Sequence, residues 1–149
     1  MKKVLIASDH GGFALKQELL EHLRALGYEL EDLGCYSTQS VDYPAYAEKV
    51  ARGVAAGAAE AGILVCGTGI GMSIAANKVD GVRAALCADC YSAEMTRRHN
   101  DSNVLCLGGR TVGPELAKRI AEIWLSTPFS AEEKHARRIG QIAAIGHGL

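Results

Sequence analysis

The chain of 149 residues has few aromatic side chains, 5% of the total, and only three prolines and one tryptophan. It also lacks an excess of charge of either sign, with a net charge of −1. Near-neutrality gives no general reason to expect nucleic acid or an anionic membrane as partner. No apolar run is long enough to span a bilayer, and Met-Lys-Lys leads into strand-like residues and not into a secretory signal. We therefore expect a cytoplasmic protein that binds neither nucleic acid nor membrane.

The number and spacing of the cysteines give little reason to expect disulfides or a metal site. Five cysteines in a chain without an export signal favour free thiols. Cys87 and Cys90 have C-x-x-C spacing, but no second cysteine pair or His-x₃₋₅-His pattern accompanies them, as a zinc site would require. The order of elements is not thioredoxin-like either, and Cys35 and Cys106 are typical of loop or core positions. We expect no metal and no cofactor.

The arrangement of apolar segments predicts one α/β domain over residues 1–149. Five β-rich runs alternate with helix-patterned segments, which is typical of a parallel sheet. The first, third and fifth runs lack polar alternation, as expected for strands covered by helices on both faces. The predicted strands are Val4–Ala7, Glu29–Leu33, Gly62–Cys66, Arg83–Cys87 and Val104–Leu107, and the predicted helices cover about 13–26, 46–59, 70–78, 88–98, 113–125 and 130–146. The last begins at a capping-box pattern, Ser130 to Glu133.

The most informative segment is the glycine turn that follows the third strand. The apolar run ends in Cys66 and enters Gly67-Thr68-Gly69-Ile70-Gly71, whose backbone N–H groups and following helix favour a negative ligand. The pattern matches neither the dinucleotide fingerprint nor a Walker loop. Lowering the thiol pKa from about 8.5 to about 7 takes about 2 kcal/mol, which a helix N-terminus can nearly supply. The alternative is a buried structural cysteine.

Other reactive side chains follow the remaining elements of the sheet. Because ligands of parallel sheets bind at the carboxyl ends of the strands, we expect one crevice formed by Asp9-His10, the 34–43 loop, the Cys66 turn and the region after the fourth strand. Asp9 could instead cap the first helix. His99, at the end of the fourth helix, is a candidate acid or base, although a polar turn also explains it. His22 and His147 are interpreted as surface residues.

Basic residues supply a candidate phosphate site. Lys134 and Arg138 are four residues apart in the last helix and project from one face. Two cations on one face can clamp a phosphate, although neighbouring glutamates would also suit a solvated charged face. Arg110 follows the fifth strand and therefore lies at the carboxyl edge of the sheet.

Together these groups match the needs of an aldose–ketose isomerase acting on a sugar phosphate. Such an enzyme needs a base that moves a proton between C2 and C1, N–H donors for an enediolate oxygen, and an acid–base group that opens the sugar ring. A phosphate away from the reacting carbons supplies binding energy that positions them.

The sequence resembles the ribose-5-phosphate isomerase B family, which is related to the galactose-6-phosphate isomerase subunits. The resemblance covers essentially the whole chain and is carried by Ser8–Phe13, Asp42–Pro44, Cys66–Lys78, Gly81–Ala84, His99–Leu105 and Gly108–Arg110. It implies a Rossmann-like three-layer α/β/α sandwich with a five-stranded parallel sheet. It also implies a metal-independent interconversion of D-ribose 5-phosphate and D-ribulose 5-phosphate. The site would lie between two subunits of a homodimer, possibly of a tetramer.

The resemblance implies a role for each candidate residue. Cys66 would be the base and His99 would assist ring opening. Gly67, Thr68, Gly69, Ile70 and Gly71 would form the oxyanion cradle. The sugar or its phosphate would contact Asp9, His10, Tyr43, Asn100 and Arg110. In the last helix the family usually has an arginine pair, for which this chain has Lys134 and Arg138, with Arg137 as an alternative to Arg138. Two other functions stay open: a hexose 6-phosphate isomerase for allose or galactose 6-phosphate, and a non-catalytic phosphate-binding module.

Overall fold

The computed structural model describes residues 2–146, in which strands and helices alternate until two successive helices end the chain of elements. His147 lies outside these residues. The elements follow the order β1 Lys3–Ser8, α1 Phe13–Ala25, β2 Glu29–Asp32, α2 Tyr43–Ala55, β3 Ala61–Cys66, α3 Ile70–Ala76, β4 Ala84–Leu86, α4 Cys90–Asn100, β5 Val104–Gly108, α5 Pro114–Ser126 and α6 Glu133–Ala144.

The strands form one parallel sheet in the order β2-β1-β3-β5-β4. In the centre of the sheet, Ile6 of β1 lies opposite Ile63 of β3, and Leu64 of β3 lies opposite Cys106 of β5. The chain moves outward from β1 to β2 and then crosses back to β3. The point at which the strand order reverses is therefore between β1 and β3, where parallel sheets open a crevice at their carboxyl ends.

Helices cover both faces of the sheet, which confirms the predicted three-layer α/β architecture. Leucines of α1 and the side chains of α5 pack on one face, where Leu19 and Trp124 are buried. Alanines and valines of α2, together with Met72 of α3, pack on the other face. All six residues of β3 are buried, because its side chains meet a helical layer on either side. This explains the absence of polar alternation in its sequence.

Two helix boundaries differ from the prediction. Helix α2 begins at Tyr43 and not at Tyr46, with Pro44 in its first turn, where a missing N–H costs nothing. It ends at Ala55, because the chain then turns through Gly57 at φ +81°. The predicted capping box at the last helix is wrong. Ala131 has φ +58°, the N-cap is Glu132, and no side chain caps the helix.

Candidate active site

Cys66 lies at the carboxyl end of β3, beside the point between β1 and β3 at which the strand order reverses. It is the last residue of β3 and only 5% exposed. The backbone N–H of Gly69 donates a hydrogen bond to its Sγ at 3.1 Å. Gly69 has φ +78°, and a Cβ there would come within 2.9 Å of the Leu107 carbonyl carbon. The turn thus depends on glycine at this position, and its N–H donor stabilises negative charge on the sulfur.

The other N–H groups of the turn divide into two sets. Ile70 donates its N–H to Thr68 Oγ1 at 3.2 Å, and Gly69 serves the thiol. The remaining donors of the predicted cradle are the N–H groups of Gly67, Thr68 and Gly71. Thr68 therefore has two roles: its hydroxyl accepts a hydrogen bond within the turn, and its backbone N–H is one of the donors of the cradle.

Asp9 and His10 follow β1 at the same edge of the sheet. The buried Asp9 carboxylate accepts the N–H of Gly12 through Oδ1 at 3.0 Å. Gly12 is the N-cap residue of α1. One oxygen of the Asp9 carboxylate therefore binds the start of this helix, as the helix-capping interpretation expects. Nδ1 of His10 accepts the backbone N–H of Val41 at 3.2 Å. A neutral His10 then carries its proton on Nε2, which can donate to a ligand.

Arg110 and Tyr43 pack against the turn that follows Cys66. The Arg110 guanidinium lies 3.3 Å from the positions that a Cβ would take on Gly11 and on Gly67, so it reaches from β5 to the loops after β1 and β3. Its own N–H donates to the Gly67 carbonyl at 2.9 Å. The Tyr43 ring packs directly on Gly71, where a Cβ would lie 2.4 Å from the ring. The predicted crevice residues at this edge are thus brought together.

A buried lysine anchors the loop between β2 and α2. Lys16 is completely buried, and its Nζ donates to Asp32 Oδ1 at 2.7 Å and to the Cys35 carbonyl at 2.5 Å. The loop it fixes carries Val41, which holds His10. Sequence reasoning missed this residue because one lysine in an amphipathic helix is ordinarily a solvated side chain.

His99 and Asn100 do not join this crevice within one chain. They lie at the end of α4, which returns from the carboxyl edge to the amino edge of the sheet. Arg83, the residue before β4, donates through Nε to the Asn100 carbonyl at 2.8 Å. Six-residue strands such as β3 span roughly 20 Å, so within one chain His99 and Asn100 lie far from the residues at the carboxyl edge.

The candidate phosphate clamp lies beside His99. The rings of His99 and His135 stack with centroids 4.3 Å apart and an angle of 17° between their planes. His135 is 8% exposed, whereas Lys134 and Arg138 on the same helix are exposed. Burial, with the nearby charge of His99, lowers the pKa of His135 below its usual value. His135 was not among the predicted site residues, because contact between α4 and α6 leaves no local sequence signal.

Arg137 has a different partner from Arg138. Its Nη1 donates to both oxygens of the Glu133 carboxylate, at 3.0 Å to Oε1 and 2.8 Å to Oε2. No ion pair of Arg138 is found within residues 2–146. We therefore define two groups: the carboxyl-edge cluster, made of Asp9, His10, Tyr43, Arg110 and the Cys66–Gly71 turn, and the amino-edge cluster, made of His99, Asn100, Lys134, His135 and Arg138.

Two of the other cysteines, Cys87 and Cys106, are poorly suited to reaction. Burial and the adjacent Asp89 raise the pKa of Cys87 to about 11, and burial raises the pKa of Cys106 as well. All five cysteines are free thiols. Over residues 2–146 no cluster of three or more His, Cys, Asp or Glu side chains is placed to hold a metal. No helix in that part of the chain has the length and apolarity to cross a membrane.

The fold and the carboxyl-edge cluster define an α/β protein with a thiol at its topological switch point. Comparison with known proteins gives the family. The profile of the Ribose/Galactose Isomerase family matches residues 4–142, and the chain belongs to that family.

Named relatives match over nearly their full length. Ribose-5-phosphate isomerase B of Escherichia coli (strain K12) is 49% identical over 145 residues, which is 97% of each chain. The solved structure of Clostridium thermocellum ribose-5-phosphate isomerase B superposes with a TM-score of 0.94, at 50% identity and 96% coverage of both chains. The Mycoplasma genitalium enzyme, solved with bound ribulose-5-phosphate, superposes with a TM-score of 0.92 at 39% identity, covering 99% of this chain and 97% of that one.

Proposed function

We propose that this protein interconverts D-ribose 5-phosphate and D-ribulose 5-phosphate through an enediolate, without a metal. The observation that carries the proposal is the Cys66 thiol at the end of β3, with a backbone N–H at 3.1 Å from its sulfur. The relatives named above support the choice of substrate, since one of them was solved with ribulose-5-phosphate.

In this proposal, the residues of the carboxyl-edge cluster carry out the proton transfer. In the open-chain aldose, the Cys66 thiolate takes the proton from C2, and the electron pair moves to give the enediolate. The N–H groups of Gly67, Thr68 and Gly71 are the donors for its oxyanion. The thiol then returns the proton to C1 while a proton passes from O2 to O1, which gives the C2 carbonyl and the C1 hydroxyl of the ketose. Asp9 and the Nε2 proton of His10 are placed to hold sugar hydroxyls.

In this proposal, the residues of the amino-edge cluster bind the phosphate and open the sugar ring. Lys134 and Arg138 share one face of α6 and would bind the phosphate, while Arg137 is held by Glu133. His99 would protonate the ring oxygen as the furanose opens, and Asn100 would hold a hydroxyl beside it.

A complete site requires two copies of the chain. The two clusters lie at opposite edges of the sheet, roughly 20 Å apart, and a five-carbon sugar phosphate is far shorter than that. We infer a homodimer in which the carboxyl-edge cluster of one subunit meets the amino-edge cluster of the other. The five free thiols are consistent with a reducing compartment, for which we propose the cytoplasm.

The direct test is an isomerase assay with ribose 5-phosphate in the presence of a chelator. Wild-type protein should turn over, and Cys66→Ala should lose about a thousandfold or more in kcat with an unchanged far-UV spectrum. Near-normal activity of Cys66→Ala would show that another group is the base. Failure of the wild-type protein to turn over ribose 5-phosphate, with intact phosphate binding, would favour a binding module.

A hexose 6-phosphate substrate remains the second candidate, because the family profile covers ribose and galactose isomerases alike. Comparing kcat/KM for ribose 5-phosphate, allose 6-phosphate and galactose 6-phosphate separates the two. We expect the pentose phosphate to give the highest value.

A further inference from the structure

We propose that His135 is a positioning residue for His99: the buried imidazole holds the plane of the exposed one in the orientation that ring opening needs. This inference rests on the proposed function, in which His99 exchanges a proton with the sugar ring oxygen. It adds a residue that is not among the groups expected to touch substrate.

The first observation is the geometry of the pair. The two rings are nearly parallel, 17° apart, with centroids 4.3 Å from each other. A parallel stack fixes the plane of a ring while leaving its edges, and so its nitrogens, open to a ligand. Without the stack, an exposed side chain at a helix end samples several rotamers.

The two histidines also differ in burial and in how firmly the surrounding chain fixes them. His135 is buried against α4, and the segment before its helix is tied to α4 by the Ser130 N–H, which donates to the Arg98 carbonyl at 3.2 Å. His99 is exposed at the end of α4. The buried ring is therefore the fixed member of the pair, and His99 takes its orientation from it.

The charges around the pair favour a neutral His135. His99 faces it from α4, and Glu132, Lys134 and Arg138 face it from its own segment, with the Glu132 carboxylate 4.0 Å from Nε2. Burial and the nearby positive charges lower the pKa of His135. A ring that stays neutral can support an imidazole that gains and loses a proton without competing for that proton.

Ring opening is the step that depends on the orientation of His99, and it conserves the number of protons on the sugar. When the furanose opens, the C1–O4 bond breaks, O4 takes a proton, O1 loses one, and the C1–O1 carbonyl forms. Ribulose 5-phosphate cannot form the corresponding furanose, because its C5 oxygen carries the phosphate. Exchange of its C1 proton with solvent therefore needs the thiol and not the ring-opening group.

The experiment compares two variants at one position. His135→Phe keeps a flat ring in the buried site, whereas His135→Leu fills a similar volume without a plane. His135→Leu should lower kcat for ribose 5-phosphate about 10- to 100-fold, while C1 exchange of ribulose 5-phosphate in D₂O changes less than about threefold. His135→Phe should restore isomerisation to within a few fold of wild type. Ile139→Ala, on the same helix, is the control and should leave the ratio of the two rates unchanged.

A spectroscopic readout is independent of activity. The ring protons of His99 should be shifted upfield by the stacked ring in the wild type and in His135→Phe, and should move toward ordinary values in His135→Leu. Loss of the shift without loss of isomerisation would overturn the proposal.

The remaining outcomes separate the inference from the proposed function. If His135→Phe is as impaired as His135→Leu, or if exchange falls as far as isomerisation, the stack is not what His135 provides. If His99→Ala isomerises ribose 5-phosphate normally, the role of His99 in the proposed function fails, and the inference with it. If His99→Ala is impaired but His135→Leu matches wild type, the inference alone fails.

Discussion

The two clusters of candidate residues are built by different means. The carboxyl-edge cluster stands on buried strand ends and is fixed by main-chain hydrogen bonds, such as that of Gly69 to the Cys66 sulfur. The amino-edge cluster stands on two helices, with His99 exposed and His135 buried, and the rings of these two residues are stacked.

The difference indicates how the work of the site is divided. The sheet alone can hold a thiol and its N–H donors to the precision that proton transfer demands. Under the proposed function, the helix surfaces supply the phosphate-binding charge and the acid, and a second copy of the chain brings them to the thiol. Each of the following experiments tests one side of that division.

Complementation between subunits has the largest expected effect. Cys66→Ala and His99→Ala should each leave about 1% of wild-type activity or less. A heterodimer purified through two different tags contains one site with both substitutions and one with neither, so it should recover roughly half the wild-type activity. The matched control is the heterodimer of Cys66→Ala with Arg110→Ala, two residues of the same cluster, in which neither site is intact. Equal activities of the two heterodimers would place both clusters of a site in one chain.

Substitution of Gly69 tests the precision of the carboxyl-edge cluster. Gly69→Ala puts a Cβ 2.6 Å from Leu86 and 2.9 Å from the Leu107 backbone, so the turn must shift and the N–H to Cys66 with it. We expect kcat to fall about 100-fold. Gly57→Ala is the control, since Gly57 has a similar φ of +81° and nothing within 4 Å. Gly57→Ala should lose about 1–2 kcal/mol of unfolding free energy because of its positive φ, and Gly69→Ala should lose more because it adds the clash. Equal activities of the two variants would show that the clash does not disturb the turn.

Lys134→Arg tests the phosphate side of the amino-edge cluster. A guanidinium can bind phosphate with two hydrogen bonds, whereas an ammonium acts as a point charge. We expect KM for ribose 5-phosphate to fall about two- to tenfold with kcat little changed, as for uniform binding. Arg137→Gln should leave KM unchanged, because Arg137 is paired with Glu133. A larger effect from Arg137 would make it, and not Arg138, the partner of Lys134.

Alkaline pH should give the smallest effect, through a thiol outside both clusters. The folded-state pKa of Cys87 is raised from 9.0 to about 11 by burial. Above pH 9 the unfolded chain therefore releases a proton that the folded chain keeps, and the free energy of unfolding falls as pH rises toward 11. The slope for one thiol is at most about 1.4 kcal/mol per pH unit. Cys87→Ala should show a shallower decline between pH 8 and 10.5 in urea titrations, and an unchanged slope would indicate that Cys87 ionises in the folded protein.

Most of the fold could be read from the sequence. Buried strands with continuous apolar residues, such as β3, are predicted almost to their ends, because burial on both faces removes any polar alternation. The helix boundaries that depend on a single backbone angle were harder to predict. Ala131 adopts a positive φ, which no residue preference indicates, and it displaces the capping box.

The sequence indicates the candidate site residues but says less about how one chain arranges them. Every strand–helix unit of a parallel sheet returns the chain to the amino edge, so the position of His99 at that edge could have been inferred from its predicted place at the end of the fourth helix. His135 and Lys16 could not be found in this way. Their roles arise from contacts between elements distant in sequence, and a local pattern shows them only as ordinary helix residues.

The length of the central strands has a consequence for how the protein behaves on dilution. A lone chain would hold a thiol without an acid at one edge of its sheet and an acid without a thiol at the other. Specific activity would then obey mass action between subunits, falling once the protein is diluted below its self-association constant. The amount of enzyme present would set both the number of sites and the fraction of them that are complete.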